Sequence, residues 1–411
     1  SGGGVFLATD VYTALNTTII AGNSAHAGGG VYALNSTASV LGFSVIRDNI
    51  AAASGGGLYY DEAETQLVAT VVEANTAIGI GGGIVLTGGS DPVVQDAVLA
   101  RNTAAYGGGF GISDEAHPIL VRTTVVLNVG LIDGGGAYVS DAGIAEFPFS
   151  TFANNTAVAG SGGGIVVATG SNLVLDDTRI EYNKAGASGG GLHVVDGSLN
   201  MSRSIFVGNS AGDRGGAVSA LGMIYSQLVD LVFDGNSAGY HGGAVFLNSS
   251  SNARVLRTVL SGNEAATGLG GAIMAFNVTD VELDAVTMTG NTADGAGGIF
   301  VNGRALVVLR SQLTANTARA GSGGAVVVAG KPFAVFTAVT VEDNVALANG
   351  GALSFETQAQ VRFEDSVVSG NSAGQDGGAV STIAGAVSTF VSCTLSRNIA
   401  QRAAGVTIRS A

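Results

Sequence analysis

Asp177, Arg203, Asp230 and Arg257 follow one another at intervals of 26 or 27 residues. If the chain brings them side by side, two carboxylates flanked by two guanidinium groups could carry acid–base chemistry on an acidic polysaccharide. The alternation of sign argues for a different role. Each carboxylate gains an arginine neighbour and no free base is left, so the column reads as an ion-pair ladder that holds register. Asp176, Asp177, Arg179 and Glu181 crowd into one short stretch and read as a solvated edge. His26, His117, His193 and His241 share no ligand spacing, and no tandem Gly-Gly-x-Gly-x-Asp run marks a calcium site. The glycine-rich segments lack the Lys-Ser/Thr ending of a phosphate loop, and no Ser/His/Asp arrangement can be assembled. The expectation is therefore a protein that is not an enzyme, with no catalytic residue, no cofactor and no metal.

The interval of those charges belongs to the whole chain. An asparagine recurs at Asn23, Asn49, Asn75, Asn102, Asn128, Asn155, Asn183, Asn209, Asn236, Asn263, Asn291, Asn316, Asn344, Asn371 and Asn398. That is fourteen steps over 375 residues, about 27 each. Three residues before each asparagine stands an apolar residue, among them Ile20, Val72, Phe152, Phe233 and Leu395. Two residues after it stands Ala in every copy but one, where Gly130 takes the place. Five residues before it the column is small and mostly hydroxylic, as at Thr18, Ser44 and Thr70, and the lone Cys393 falls in that column as a buried small residue. A glycine pair follows every asparagine but the last, Asn398, at a short distance, leading into apolar residues such as Val31, Leu58, Ile84 and Val245.

Within a copy, β-branched segments of four to six residues are broken by Gly, Asn, Ser and Asp, and nothing reads as ten helical residues with a cap. A period near 27 with three short strands per copy fits one turn of a parallel β-helix. The fold class expected is all-β, a single-stranded, right-handed parallel β-helix of about 15 coils over residues 1–411 as one continuous domain. Coils stack ~4.8 Å apart, so fifteen would make a rod roughly 70 Å long. Each column becomes a stack of like residues: apolar ones form the core, and asparagine amides pair from coil to coil. The asparagine is expected at a tight bend, as a residue tolerant of left-handed backbone. The glycines are expected at a corner with positive φ or close backbone approach.

Composition agrees with a packed chain. Of 411 residues 66 are Gly but only 4 are Pro, which excludes collagen, and 46% hydrophobic with 12% charged residues excludes disorder. A net charge of −14 argues against nucleic acid and anionic membrane surfaces as partners. No apolar run reaches the ~18 residues of a spanning helix. Because the sequence starts and stops inside a repeat, it is expected to be a fragment of a longer chain.

Gly270-Gly271-Ala272-Ile273, together with Phe152-Ala153-Asn154-Asn155, Phe206-Val207-Gly208-Asn209 and Phe233-Asp234-Gly235-Asn236, resembles the GGA[IV]/FxxN repeats of the chlamydial polymorphic outer membrane proteins. The resemblance runs along essentially the whole chain. It implies a β-helical passenger of an autotransported surface adhesin, and similar repeats occur in large eukaryotic surface proteins. Only three copies carry Phe at the first motif position, and no C-terminal membrane barrel is present in this sequence.

Two surface features remain. Phe6, Tyr32, Tyr59, Tyr138, Val166, His193, Phe246 and Phe300 share a position near the strand after the glycines; they read first as ordinary strand-surface residues, with a strip for stacking on sugars or another subunit as the alternative for some of them. Sequons at Asn16, Asn35, Asn154, Asn200, Asn248 and Asn277 are candidate N-glycosylation sites. The function expected is an extracellular structural β-helix: a glycosylated rigid spacer or fibre segment of a cell-surface appendage or wall. An adhesin passenger is the alternative, and a polysaccharide lyase or hydrolase the third reading. Partners expected are further repeats of the parent chain, copies of itself, glycans or other surface proteins.

Overall fold

The computed structural model describes residues 2–8, 13–36, 39–223, 225–249, 252–330, 333–356, 359–383 and 386–409. Its chain divides into two compact units, Ser1–Ala211 and Gly212–Ala411. Each is a parallel β-helix, built as the period requires.

In the first unit one coil runs through the strands Val31–Leu34, Val40–Gly42, Val45–Arg47 and Ile50–Ala51. The next coil repeats them in parallel register, with Val31 on Leu58, Leu41 on Leu67, Ile46 on Val72 and Ala51 on Ala77. In the second unit Val245 lies on Ile273, Val255 on Leu283, Leu260 on Met288 and Ala293 on Ala318. The first two strand rows share one sheet, because Ile273–Asp284 and Ile299–Leu309 run through both rows unbroken. Three parallel sheets therefore face the axis, as the sequence implies.

Inward side chains alternate with outward ones along each strand and make the core. Ile46, Val72, Leu99, Val125 and Phe152 are fully buried in the first unit, as are Phe336, Phe355 and Phe363 in the second. Phe336 and Phe363 stack at 4.6 Å between ring centroids, 11° from parallel. Each such side chain contributes roughly 1.5–3 kcal/mol relative to its exposed state.

Three left-handed positions recur in every coil, and none is the ladder asparagine; most coils add another between the first two strand rows, as at Asn35, Glu62 and Asp196. The residue just before the ladder asparagine takes positive φ, as at Asp48 (57°), Leu127 (58°) and Tyr182 (54°). So does the residue six before it, as at Phe43 (51°), Arg122 (49°) and Arg257 (47°). The third is the residue opening the glycine pair, such as Gly55 (68°) or Gly242 (64°). The asparagine is thus displaced by one residue from the bend expected for it. Its own backbone N–H and side chain must both reach the neighbouring coil, which the turn before it allows. Immediately after the third turn, a Cβ at Gly243 would lie 2.1 Å from the Gly271 carbonyl oxygen, and one at Gly351 would lie 2.3 Å from that of Gly378. Only a residue without a side chain fits there.

Candidate functional surface

The asparagine ladder is the polar spine of each unit. Asn23 Nδ2 donates to Asn49 Oδ1 at 3.0 Å, and the same bond repeats through Asn75, Asn102, Asn128, Asn155 and Asn183 to Asn209. A second run joins Asn236, Asn263, Asn291, Asn316, Asn344, Asn371 and Asn398. After the first asparagine of a run, Oδ1 also accepts a backbone N–H, as from Asn49 to Asn75 at 3.0 Å, and the other Nδ2 hydrogen finds a carbonyl, as from Asn49 to Ile20 at 2.9 Å. Asn49 and Asn291 have no exposed surface, and full bonding offsets the desolvation of their amides. The hydroxylic column forms a lesser ladder: Thr18 N–H donates to Ser44 Oγ at 3.1 Å, and Ser44 Oγ donates to Gly42 O at 2.8 Å. Cys393, in that column, is half-buried and donates to Val391 O.

Asp177, Arg203, Asp230 and Arg257 sit on the left-handed turn six residues before the asparagine. Arg203 Nε donates to Asp177 Oδ2 at 2.9 Å and its Nη2 reaches Asp176. Arg257 grips Asp230 with two bonds of 2.6 and 2.8 Å, and Arg122 grips Asp96 at 2.7 and 3.0 Å. The guanidinium beside Asp96 holds its carboxyl below the usual range, chiefly by hydrogen bonding. Arg179 turns to Glu181 at 2.5 Å. These pairs are exposed, so each adds little to stability, and those that join neighbouring coils serve register.

The histidines scatter. His117 Nε2 lies 3.0 Å from Glu146 Oε1. His241 Nδ1 accepts the Leu269 N–H at 3.0 Å, and burial with the Arg214 charge lowers its pKa. Burial lowers that of His193 too. His26 is exposed. Among the described residues no three His, Cys, Asp or Glu are placed to hold a metal.

The aromatic strip is not the open surface expected. Tyr32 and Tyr59 stack face to face at 5.1 Å and 7°, with Phe6 next at 5.7 Å, so the rings use their faces on one another. Phe246, Met274, Phe300 and Val327 form a small apolar cluster outside the main core, only 2–7% exposed and roofed by Ala296, with Leu221, Leu269 and Ala329 beside it. Arg214 lies 5.2 Å over the Phe246 ring. The loop before the glycines folds back over this column, which residue types alone did not reveal.

Of the sequons, Asn16, Asn154, Asn200 and Asn277 are exposed, while Asn35 and Asn248 are half-buried. Thr37 and Ser250, their hydroxyl residues, lie outside the described residues.

What sequence reasoning missed is the outer face of the second strand row. It carries a 340 Å³ concavity lined by Glu146, Asp176, Asn200 and Arg203 in the first unit. Two more lie in the second unit, of 510 Å³ around Arg254 and Glu282, and 300 Å³ around Phe333 and Arg362. Most of their positions keep a fixed offset from the asparagine, eleven or nine residues before it, with Asp176 seven and Arg203 six before, but the residue types in those columns are mixed.

Comparison with known families agrees with the architecture. Residues 3–174 match the family described as right handed beta helix region, which fixes the hand of the coil. Residues 230–248 match the Chlamydia polymorphic membrane protein repeat. No curated protein matches the chain.

Proposed function

We propose that this chain is a non-enzymatic extracellular structural protein, a rigid spacer or fibre segment of a cell-surface appendage or wall. The observation that supports it most is the pairing of the candidate catalytic column. Asp177 and Asp230 are held by Arg203 and Arg257, which leaves neither as a ready base. The repeat at residues 230–248 supports a surface location, since its family is one of membrane proteins. Other repeats of the parent chain, or copies of it, are the natural neighbours of such coils.

Immunogold labelling of intact cells with antibody to this chain tests the reading, with electron microscopy of the released material. Label on elongated surface structures is the expected result. Label only after permeabilisation would overturn it, as would turnover of pectin- or alginate-like polymers that is lost in Asp177→Asn or Asp230→Asn. The adhesin-passenger reading is favoured by the same repeat, and a membrane β-barrel encoded downstream in the parent gene would raise it to first place.

A further inference from the structure

The two concavities of the second unit adjoin. Neighbouring strands place Asn252 on Asp280, Asp280 on Ala305, Ala305 on Phe333 and Phe333 on Gln360. The parallel row runs Arg254, Glu282, Val307, Val335, Arg362. Five coils in a row therefore share one shallow outer groove, about 19 Å from first to last at ~4.8 Å per coil. Phe333 stands in it half exposed, at 50%, beside the small Ala305. Unlike Tyr32 and Tyr59, it lies next to no aromatic residue in either neighbouring strand.

We infer that this groove binds an extended, uncharged polysaccharide, with Phe333 as the stacking platform and Asn252, Gln360, Arg254 and Arg362 as hydroxyl-binding groups. Three features select that occupant. Charges within the groove balance: Arg254 pairs with Glu282 at 2.9 Å, Arg362 with Glu364 at 3.4 Å, and Arg304 lies 3.9 Å from Asp280. A polyanion would have to displace those carboxylates, whereas sugar hydroxyls can bond to amide, guanidinium and carboxylate while the pairs stay intact. The strand backbones are already bonded coil to coil, so a peptide finds no free edge to extend. A polymer of like units, laid along like coils, can repeat the same contact. This goes beyond the surface role proposed above and does not depend on it.

Calorimetric titration of the full chain with cellohexaose, xylohexaose and a galacturonate hexamer tests the assignment. A neutral hexaose should bind more tightly than its disaccharide. Phe333→Ala should weaken that binding at least tenfold, and Arg362→Ala should weaken it several-fold. Tyr182→Ala, an exposed aromatic of the first unit, should leave it unchanged. Circular dichroism and thermal unfolding of each variant separate lost binding from lost fold. No binding by any hexamer would overturn the proposal, as would binding indifferent to Phe333, or preference for galacturonate. Self-association in sedimentation that Phe333→Ala abolishes, without glycan binding, would make a second copy of the chain the occupant and would equally overturn it.

Discussion

Asn155 gives two hydrogens to one oxygen of Asn183: its backbone N–H and its Nδ2 each lie 2.9 Å from Asn183 Oδ1. Asn183 in turn donates to the Phe152 carbonyl at 2.9 Å and to Asn209 at 3.0 Å. Asn183→Ala strands two buried donors and one buried carbonyl together. At roughly 1–3 kcal/mol for each unmade bond, the loss should approach 3–5 kcal/mol. Urea unfolding of the full chain would read it. Hydrogen exchange should show the Asn155 amide among the most deprotected in the variant.

Gly351 and Ala352 are adjacent and buried, yet they should respond oppositely in size. A methyl group at Gly351 meets the Gly378 carbonyl and the Ser372 backbone at 2.3–2.7 Å, and no flexible side chain can give way. Gly351→Ala should cost about 3 kcal/mol or more, whereas Ala352→Gly should cost about 1 kcal/mol. Thermal melts of the two variants decide this.

Ala315 holds φ of 55° on an exposed turn, where a Cβ carries a penalty of about 1–2 kcal/mol. Ala315→Gly should therefore stabilise the fold, by about 0.5–1 kcal/mol once the extra freedom of the unfolded chain is subtracted. A rise in the urea midpoint at constant slope would bear this out, and a fall would refute it.

Tyr32 should ionise late. Burial, then the charge of Asp61 and a 3.2 Å bond from its hydroxyl to Asp61 Oδ2, push its pKa from 10.0 up to about 12. The folded value lies above the unfolded one, so the stability this provides is complete below pH 10 and disappears as pH rises towards 12. Spectrophotometric titration should show a late phenol absent from Tyr32→Phe. Asp61→Asn should move that phenol to lower pH.

The period, the apolar columns and the paired asparagines were legible because stacking turns each contact into like on like, which repeats in the sequence. Backbone conformation was not. The left-handed site before the asparagine holds Asp48, Leu127, Tyr182 and glycine in different coils, so residue type gives no hint of it. Where the glycine strand's outer column is buried, the covering residues Leu269 and Ala296 come from loops of unequal sequence. The choice between Gly and Ala at the end of each glycine trio does not follow the core residue beside it: Gly57 stands against Val72 and Ala325 against Val341.

The Asn155–Asn183 contact is the same contact as Asn49–Asn75, because both partners are the same residue in the same pose. A gene that gains or loses one complete turn therefore leaves every surviving neighbour with a partner it already fits. Heritable change in such a chain comes most easily in whole coils, by duplication or excision of about 27 codons, while half a coil would break every column at once.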